Sequence, residues 1–233
     1  MSTNPAVALS QPALLKPRSR RRVLTEIFVS YTLILVVIWT PRPAQRWMWW
    51  IASASVVVFT CISFDGARAM GLRAANFLRS LWVAGAALAI AVVAVIVAAR
   101  LHTLKMPPGI LAFIQTYFAY AIWSFVQQFL LQCFFLLRFL RVLPPRWAAL
   151  AAAGIFAAAH LPSPILTPIT FVWGLAACLI FLRYRNLYPL AIAHAIFGIA
   201  IAVTVPGPVD HNIRVGLGYL TYSHRFHKLH PGR

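Results

Sequence analysis

A succession of long apolar runs, separated by short basic segments, constrains this chain more than any other feature. Each run is close to the roughly twenty residues that a helix needs to cross a bilayer. Because a backbone in lipid must satisfy its own hydrogen bonds, the runs predict an all-α, polytopic membrane helix bundle of about seven to eight transmembrane helices. The predicted runs lie at about 24–40, 47–64, 80–99, 108–140, 146–160, 165–182 and 187–205.

The run at 108–140 is longer than one bilayer crossing. It predicts either an interfacial segment followed by a spanning helix or one long, tilted helix, and a break within it would give the eighth span. The side of the membrane that the C-terminal tail occupies stays open between these alternatives.

The composition excludes an ordinary soluble domain. Of the 233 residues, 61% are hydrophobic and 10% are charged, whereas soluble domains carry roughly a quarter charged residues. The formal net charge is +18, but the Lys and Arg residues lie between the runs. This distribution favours membrane topology and contact with anionic membrane lipids over nucleic-acid binding. It also predicts a cytoplasmic N terminus, and we expect a multi-pass protein of the cell inner (plasma) membrane.

The predicted organisation has three parts. Residues 1–22 are polar and end in the basic run KPRSRRR, which predicts a disordered cytoplasmic tail. Residues 23–205 form the predicted transmembrane domain, and 206–233 form a basic C-terminal appendage. His224, His227 and His230 recur in this appendage, where an exposed basic tail is favoured over a metal site.

Three glutamines lie in the apolar stretch SFVQQFLLQCFFLLR at 124–138. Ser124, Gln128 and Gln132 are spaced by four residues, so they share one helical face. Gln127 lies about 100° round the helix, and Tyr120 continues the polar side one turn earlier. An unpaired amide in an apolar interior costs several kcal/mol. We therefore expect other polar groups of the fold to meet these side chains.

Two histidines lie within or at the end of apolar runs. His160 ends the alanine-rich stretch RWAALAAAGIFAAAH, and His194 lies near the middle of the last run. An ionisable residue inside a membrane segment is a functional hypothesis by default, whereas polar residues also hold membrane helices together without a catalytic role. Both interpretations stay open from the residues alone.

The order of these motifs resembles the CAAX protease and bacteriocin-processing family, abbreviated CPBP and also called ABI. FAAAH, from Phe156 to His160, resembles the FxxxH motif of the family, and His194 begins a segment similar to HxxxN or HxxxD. The sequence QQFLLQ stands where the family has EExxxR. The resemblance covers a core at about 108–204 and implies an eight-helix bundle with a cavity open toward the cytoplasmic leaflet. It also implies a glutamic-type intramembrane endopeptidase, a hydrolase, that acts on a prenylated or membrane-embedded peptide.

The resemblance gives each matched position an expected role. Gln127 stands at the water-activating Glu, Gln128 at the second Glu and Gln132 at the Arg. The two histidines are expected to hold the substrate and the oxyanion, and Gly198 stands where Asn or Asp is expected. The predicted catalytic set is His160, His194, Gln127, Gln128 and Gln132, and the predicted substrate-cavity set is Phe156, Ser124, Tyr120 and Gly198.

The general base of the family is missing from this sequence. An amide does not accept a proton near neutral pH, and the three acids, Glu26, Asp65 and Asp210, all lie outside the matched region. Both glutamates and the arginine of the EExxxR motif are replaced by glutamine in this sequence. The three changes together look like a coordinated neutral replacement, which leaves no buried Arg unpaired.

Two functions are therefore favoured over a third, a small transporter or channel, because no paired charges line a pathway and no inverted repeat is visible. One is a protease that uses His160 or His194 as the base. The other is a non-catalytic relative that binds a lipid, a lipidated peptide or a partner helix as a pseudoenzyme, immunity factor or assembly factor. No cofactor is predicted. A divalent metal at the two histidines is weakly supported, because hydrolytic zinc sites add a third His or a carboxylate.

Overall fold

The computed structural model describes residues 15–74 and 76–222 of the chain. Within these ranges the protein is helical and contains no strand, which confirms the predicted fold class. Seven long helices follow the seven apolar runs in order. They are α1 (Arg20–Trp39), α2 (Ala44–Ile62), α3 (Phe77–Arg100, broken at Leu81), α4 (Gly109–Phe139), α5 (Pro145–Ala158), α6 (Leu166–Tyr184) and α7 (Tyr188–Thr204).

Four of the described helices, α1, α3, α4 and α6, are long and apolar enough to cross a bilayer, and α7 is a shorter apolar helix. Large apolar side chains cover the outside of the bundle, including Val57, Val93, Phe118 and Val172. Such a surface would be unfavourable in water but is suited to lipid. The described chain is therefore a polytopic membrane bundle.

The long fourth run forms one continuous helix. Helix α4 spans 31 residues, and its stretch Phe129–Leu136 has the wider i→i+5 hydrogen bonding of a π-helix. The second sequence alternative, one long helix, is therefore the correct one. Such π stretches are frequent at functional sites because they change the direction in which side chains point. Here the stretch contains Gln132, which is fully buried.

Helices α5 and α6 pack closely because small residues line their contact. Ala149, Ala152 and Ala153 have no exposed surface. At Gly174 of α6, an added Cβ would lie 3.1 Å from the Phe156 ring and 3.5 Å from the Cα of Ala153. Close approach of two backbones is the usual packing mode of membrane helices with small residues. It sets Phe156 against α6, and the turn that contains His160 follows α5 directly.

Buried ion pairs hold one end of the bundle, where α1 begins and α4 ends. The Glu26 carboxylate accepts hydrogen bonds from Arg138 Nε at 2.8 Å and from Ser63 Oγ at 2.9 Å. Asp65 pairs with Arg141 in the same region. Arg138 and Glu26 are both almost completely buried, so each charge depends on the other for its stability.

The helix boundaries differ in detail from the predicted domain limits. Helix α1 begins at Arg20, inside the predicted tail at 1–22, because the Ser19 side chain caps it by accepting from the backbone N–H of Arg22. After α7 come α8 (Gly207–Asp210), a 3-10 turn at His211–Ile213 and α9 (Gly216–Leu220). The backbone N–H of Gly216 donates to the Leu161 carbonyl at 2.8 Å, so this segment folds back onto the bundle. His224, His227 and His230 lie outside the described residues.

Candidate active site

A chain of hydrogen bonds links two glutamines of α4 to the histidine of α7. Gln132 Nε2 donates to Gln128 Oε1 at 3.3 Å, and Gln128 Nε2 lies 2.8 Å from His194 Nδ1. Both glutamines have no exposed surface, and His194 is 6% exposed. The amides that the sequence left unexplained are therefore met by each other and by an imidazole.

The direction of this chain fixes the state of His194. Since Gln128 Oε1 already accepts from Gln132, the Gln128 amide nitrogen donates to His194 Nδ1. A neutral imidazole that accepts at Nδ1 carries its proton on Nε2. His194 therefore presents an N–H donor, and its lone pair is used inside the chain. Gln132 Oε1 is buried and makes no hydrogen bond to other described residues.

His160 has the opposite arrangement. Its Nδ1 lies 2.7 Å from the backbone carbonyl of Phe156, four residues earlier. A carbonyl can only accept, so Nδ1 carries the proton and donates, and Nε2 keeps its lone pair. The Phe156 ring is in edge contact with both histidines, with centroid distances of 4.9 Å to His160 and 6.0 Å to His194. The two imidazoles are thus held beside one aromatic ring in complementary states.

Both histidines line one large cavity of about 1420 Å³. This volume exceeds the roughly 300–1,000 Å³ of ordinary small-molecule pockets. The wall is mostly apolar, and its polar groups include Gln127, Tyr120 and Thr170. Gln127 is partly exposed and makes no side-chain hydrogen bond within the described residues, in contrast to the fully buried Gln128. A long apolar ligand with a few polar groups matches this wall.

The four residues predicted for the cavity occupy different places. Phe156, Tyr120 and Gly198 line it, but Ser124 does not. The Ser124 hydroxyl donates to the Tyr120 backbone carbonyl at 2.9 Å and is fully buried. At Gly198, where the resemblance expects Asn or Asp, an added Cβ would overlap the Tyr120 hydroxyl. The space for a side chain at this position is therefore filled from α4.

Trp173 is a member of the cavity wall that sequence reasoning assigned no role. Its ring lies 6.3 Å from His194 and 5.0 Å from Phe197, both in edge-to-face contact. Its Nε1 is buried and has no hydrogen-bond partner among the described residues. The position of Trp173 in its apolar run could have indicated a role in the site. Interfacial tryptophans lie near the ends of membrane helices, whereas Trp173 lies well inside α6.

The site is electrically neutral. Glu26 and Asp65 are engaged at the far end of the bundle, with Arg138 and Arg141 respectively. Asp210 lies in the segment after α7, where it accepts from the backbone N–H of Asn212 at 2.9 Å. Burial raises the pKa of Asp210 above its ordinary value, although the Asn212 N–H opposes this. None of the three acids lines the cavity.

The donor set does not fit a metal well. No group of three or more His, Cys, Asp or Glu side chains converges within the described ranges. His160 would offer Nε2, and its Nδ1–H···O=C bond is typical of a metal-binding imidazole. His194 would first need the Gln128 amide to reverse, because its Nε2 carries a proton in the present arrangement. The weakly supported metal at these two residues therefore stays a prediction, and no chemical step is based on it.

The fold and site together define a polytopic helical membrane protein with a neutral histidine–glutamine pocket inside the bundle. Residues 109–200 match the family model described as Type II CAAX prenyl endopeptidase Rce1-like. Residues 109–200 are therefore similar to the CPBP-type domain, as the motifs predicted, and this similarity supports a CPBP-type intramembrane protease-like role. The match contains all of the predicted site residues. No curated protein and no solved structure gave a match to the chain.

Proposed function

We propose that the protein binds a prenylated or membrane-embedded peptide in the cavity and cleaves it with His160 as the general base. The observation that carries the proposal is the hydrogen-bond arrangement of the two imidazoles. His160 keeps a lone pair at Nε2, whereas the lone pair of His194 is used by Gln128. With an amide at Gln127, His160 is the group of the cavity wall best able to take a proton from water.

The two histidines would have different tasks in this reaction. His160 Nε2 takes a proton from water, and the resulting hydroxide adds to the carbonyl carbon of the peptide. His194 Nε2–H donates a hydrogen bond to the oxyanion that develops. The proton on His160 then passes to the amine nitrogen as the C–N bond breaks, which returns both imidazoles to their starting states. Gln127 orients the water or the peptide by hydrogen bonding.

The proposed location is the cell inner membrane with the N terminus in the cytoplasm, as the charge distribution favours. The cavity is lined by the second half of α1, the first half of α6 and the second half of α7. These parts lie in the half of the bundle away from the N-terminal end of α1. With this orientation the cavity belongs to the outer half of the bilayer, which favours a membrane-embedded peptide over a prenylated peptide presented from the cytoplasm.

The test measures cleavage of two reporter peptides, one prenylated and one transmembrane, by purified protein in nanodiscs. We expect His160→Ala to lower the rate roughly 10²-fold or more, since a general base contributes about that much. Gln127→Ala should lower the rate less than His160→Ala, because Gln127 only orients the water or the peptide, and His102→Ala, at an exposed histidine outside the cavity, serves as the matched control. Unchanged cleavage by His160→Ala would refute the assigned base.

A second candidate function is a non-catalytic receptor for the same ligand. It is favoured by the Gln132–Gln128–His194 chain, which is neutral and places no carboxylate at the cavity. In this case the wild type binds a reporter peptide without cleaving it. Gln127→Glu separates the two functions, because a carboxylate at this position would give cleavage to a protein that otherwise only binds. Absence of both binding and cleavage would refute both candidates.

A further inference from the structure

The contact between Tyr120 and Gly198 joins α4 to α7 inside the cavity. A Cβ added at Gly198 would overlap the hydroxyl oxygen, Cζ and Cε1 of Tyr120. Gly198 is buried, and both residues line the cavity wall. Glycine is therefore required at 198 because the phenol occupies the space next to its Cα.

This contact places the Tyr120 hydroxyl close to the reactive part of the site. Gly198 follows His194 by four residues on α7, so the two positions lie one helical turn apart on the same face. A hydroxyl held against Gly198 is thus one turn away from the imidazole. The phenol comes from α4, the helix that also supplies Gln127 and Gln128.

We propose that the Tyr120 hydroxyl is a ligand-positioning group that donates a hydrogen bond to a carbonyl oxygen of the bound peptide. The inference rests on the proposed function in one respect, namely that the ligand contains a peptide. A tyrosine hydroxyl carries one O–H donor and two acceptor positions, so it can serve a ligand while it keeps another contact. No side chain of residue 198 stands between the hydroxyl and the cavity.

The proposed role gives the cavity a preference for amides over plain hydrocarbon. Most of the wall is apolar, so either kind of ligand would be stabilised by burial of its chain. Only a ligand with a carbonyl would pair with a hydroxyl on the wall, since a hydrocarbon leaves it without that partner. Tyr120 is therefore a specificity residue in addition to the two histidines.

The experiment compares two non-cleavable ligands that differ in one oxygen. The first is a transmembrane peptide with a ketomethylene group in place of one amide, which keeps the carbonyl, and the second has two methylene groups there. Binding of each is measured by titration of the full chain in nanodiscs. We expect Tyr120→Phe to weaken binding of the ketomethylene ligand roughly three- to tenfold, as loss of one neutral hydrogen bond predicts. Binding of the methylene ligand should not change.

The matched control is Tyr117→Phe, since Tyr117 lies on the same helix but packs against Phe113 and does not line the cavity. It should change neither affinity. Gly198→Ala, which forces the phenol away, should reproduce the effect of Tyr120→Phe if the variant folds. Equal weakening of both ligands by Tyr120→Phe, or no weakening of either, would overturn the inference while leaving the proposed function standing. Failure of the wild type to bind either ligand would refute the proposed function and this inference with it.

Discussion

Replacing Gln128 with leucine tests the hydrogen-bond chain on which the assignment of the two imidazoles depends. Gln128→Leu keeps a side chain of similar size but removes both the acceptor for Gln132 and the donor for His194. Gln128 has no exposed surface, so water cannot easily replace either partner. The substitution should therefore lower stability even though leucine is the more apolar residue.

The magnitude follows from the number of bonds lost. Hydrogen bonds between membrane helices contribute on average about 0.6 kcal/mol and at most about 1.7 kcal/mol each. Gln128 makes one such bond, to His194 of α7 at 2.8 Å, and a second one within α4, to Gln132 at 3.3 Å, so the loss should be about 1–3 kcal/mol. The longer of the two bonds contributes less, because hydrogen bonds weaken as donor and acceptor separate.

Thermal unfolding in detergent can be followed with a thiol-reactive dye. Cys133 and Cys178 are buried in the folded protein and become reactive when it unfolds, whereas Cys61 is exposed. Cys61→Ala is therefore introduced in every variant. Ser124→Ala is the matched control, because Ser124 is equally buried and its hydroxyl donates to a backbone carbonyl of its own helix, at Tyr120. This control should cost little, since Ser hydroxyls that bond back to an i−4 carbonyl do not stabilise a helix.

The tautomer assignment receives a separate check. In Gln128→Glu an ionised carboxylate would face His194 Nδ1 and could only accept, so Nδ1 of His194 would have to carry a proton. Nitrogen-15 NMR of labelled histidine should report this change at His194 and leave His160 unaltered. If Gln128→Leu and Ser124→Ala have the same small effect, or if His194 carries its proton on Nδ1 in the wild type, the reasoning about the site is wrong.

Three further predictions concern other parts of the bundle. Glu26→Ala or Arg138→Ala should each lower the free energy of unfolding by about 3–5 kcal/mol. The double variant Glu26→Leu with Arg138→Met should cost less than either single change, because it leaves no unpaired buried charge. Additive losses in thermal denaturation would contradict this prediction. Since burial raises the pKa of Asp210, its stabilising contribution is present at acidic pH and is lost as pH rises through the folded pKa. Asp210→Asn should therefore raise the melting temperature at neutral pH and leave it unchanged near pH 3, and a fall at neutral pH would refute the sign. Ala152→Leu should overpack α5 against α6 at a cost of about 1–3 kcal/mol, and Ala151→Leu, at a half-buried position, should cost less in the same assay.

The fold class could be predicted because it depends on features that are local in sequence. Runs of about twenty apolar residues have few alternatives in a bilayer, and the seven runs correspond to the seven long helices. The first residue of α1 was harder to predict, because Arg20 to Arg22 look like part of a polar tail. Capping by Ser19 and the bond from Arg22 Nε to Glu26 at 3.0 Å extend the helix into that basic run.

The hydrogen-bond partners within the site could be predicted only in part. The four-residue spacing correctly predicts that Ser124, Gln128 and Gln132 share a buried face. The partner of each amide depends on how α7 packs against α4, which no local pattern specifies. The spacing also does not reveal that Ser124 bonds to its own helix, or that α4 changes to π-helical geometry at Phe129.

Contacts between distant residues account for the remaining differences. The sequence shows that Gly198 lacks the side chain that the resemblance expects, but not that Tyr120 fills the space. The two residues are far apart in the chain, and glycine is also common in membrane helices for packing alone. The contact of Trp173 with His194 was likewise not predictable, because it depends on the position of α6 beside α7.

Helix α4 carries a charged side chain at its C-terminal end and neutral polar side chains in its middle, and this arrangement lets the middle of the helix hold polar groups without a charged partner. Its C-terminal end carries Arg138, which is paired with Glu26 at 2.8 Å and also donates to the Phe134 carbonyl at 3.0 Å. Its middle carries Gln128 and Gln132, which bond to each other and to His194. A single carboxylate in the middle would lack a buried cation, because Arg138 is already fully engaged. A neutral middle segment needs no such partner, so the cavity can remain large and apolar while two imidazoles and a phenol supply its polar chemistry.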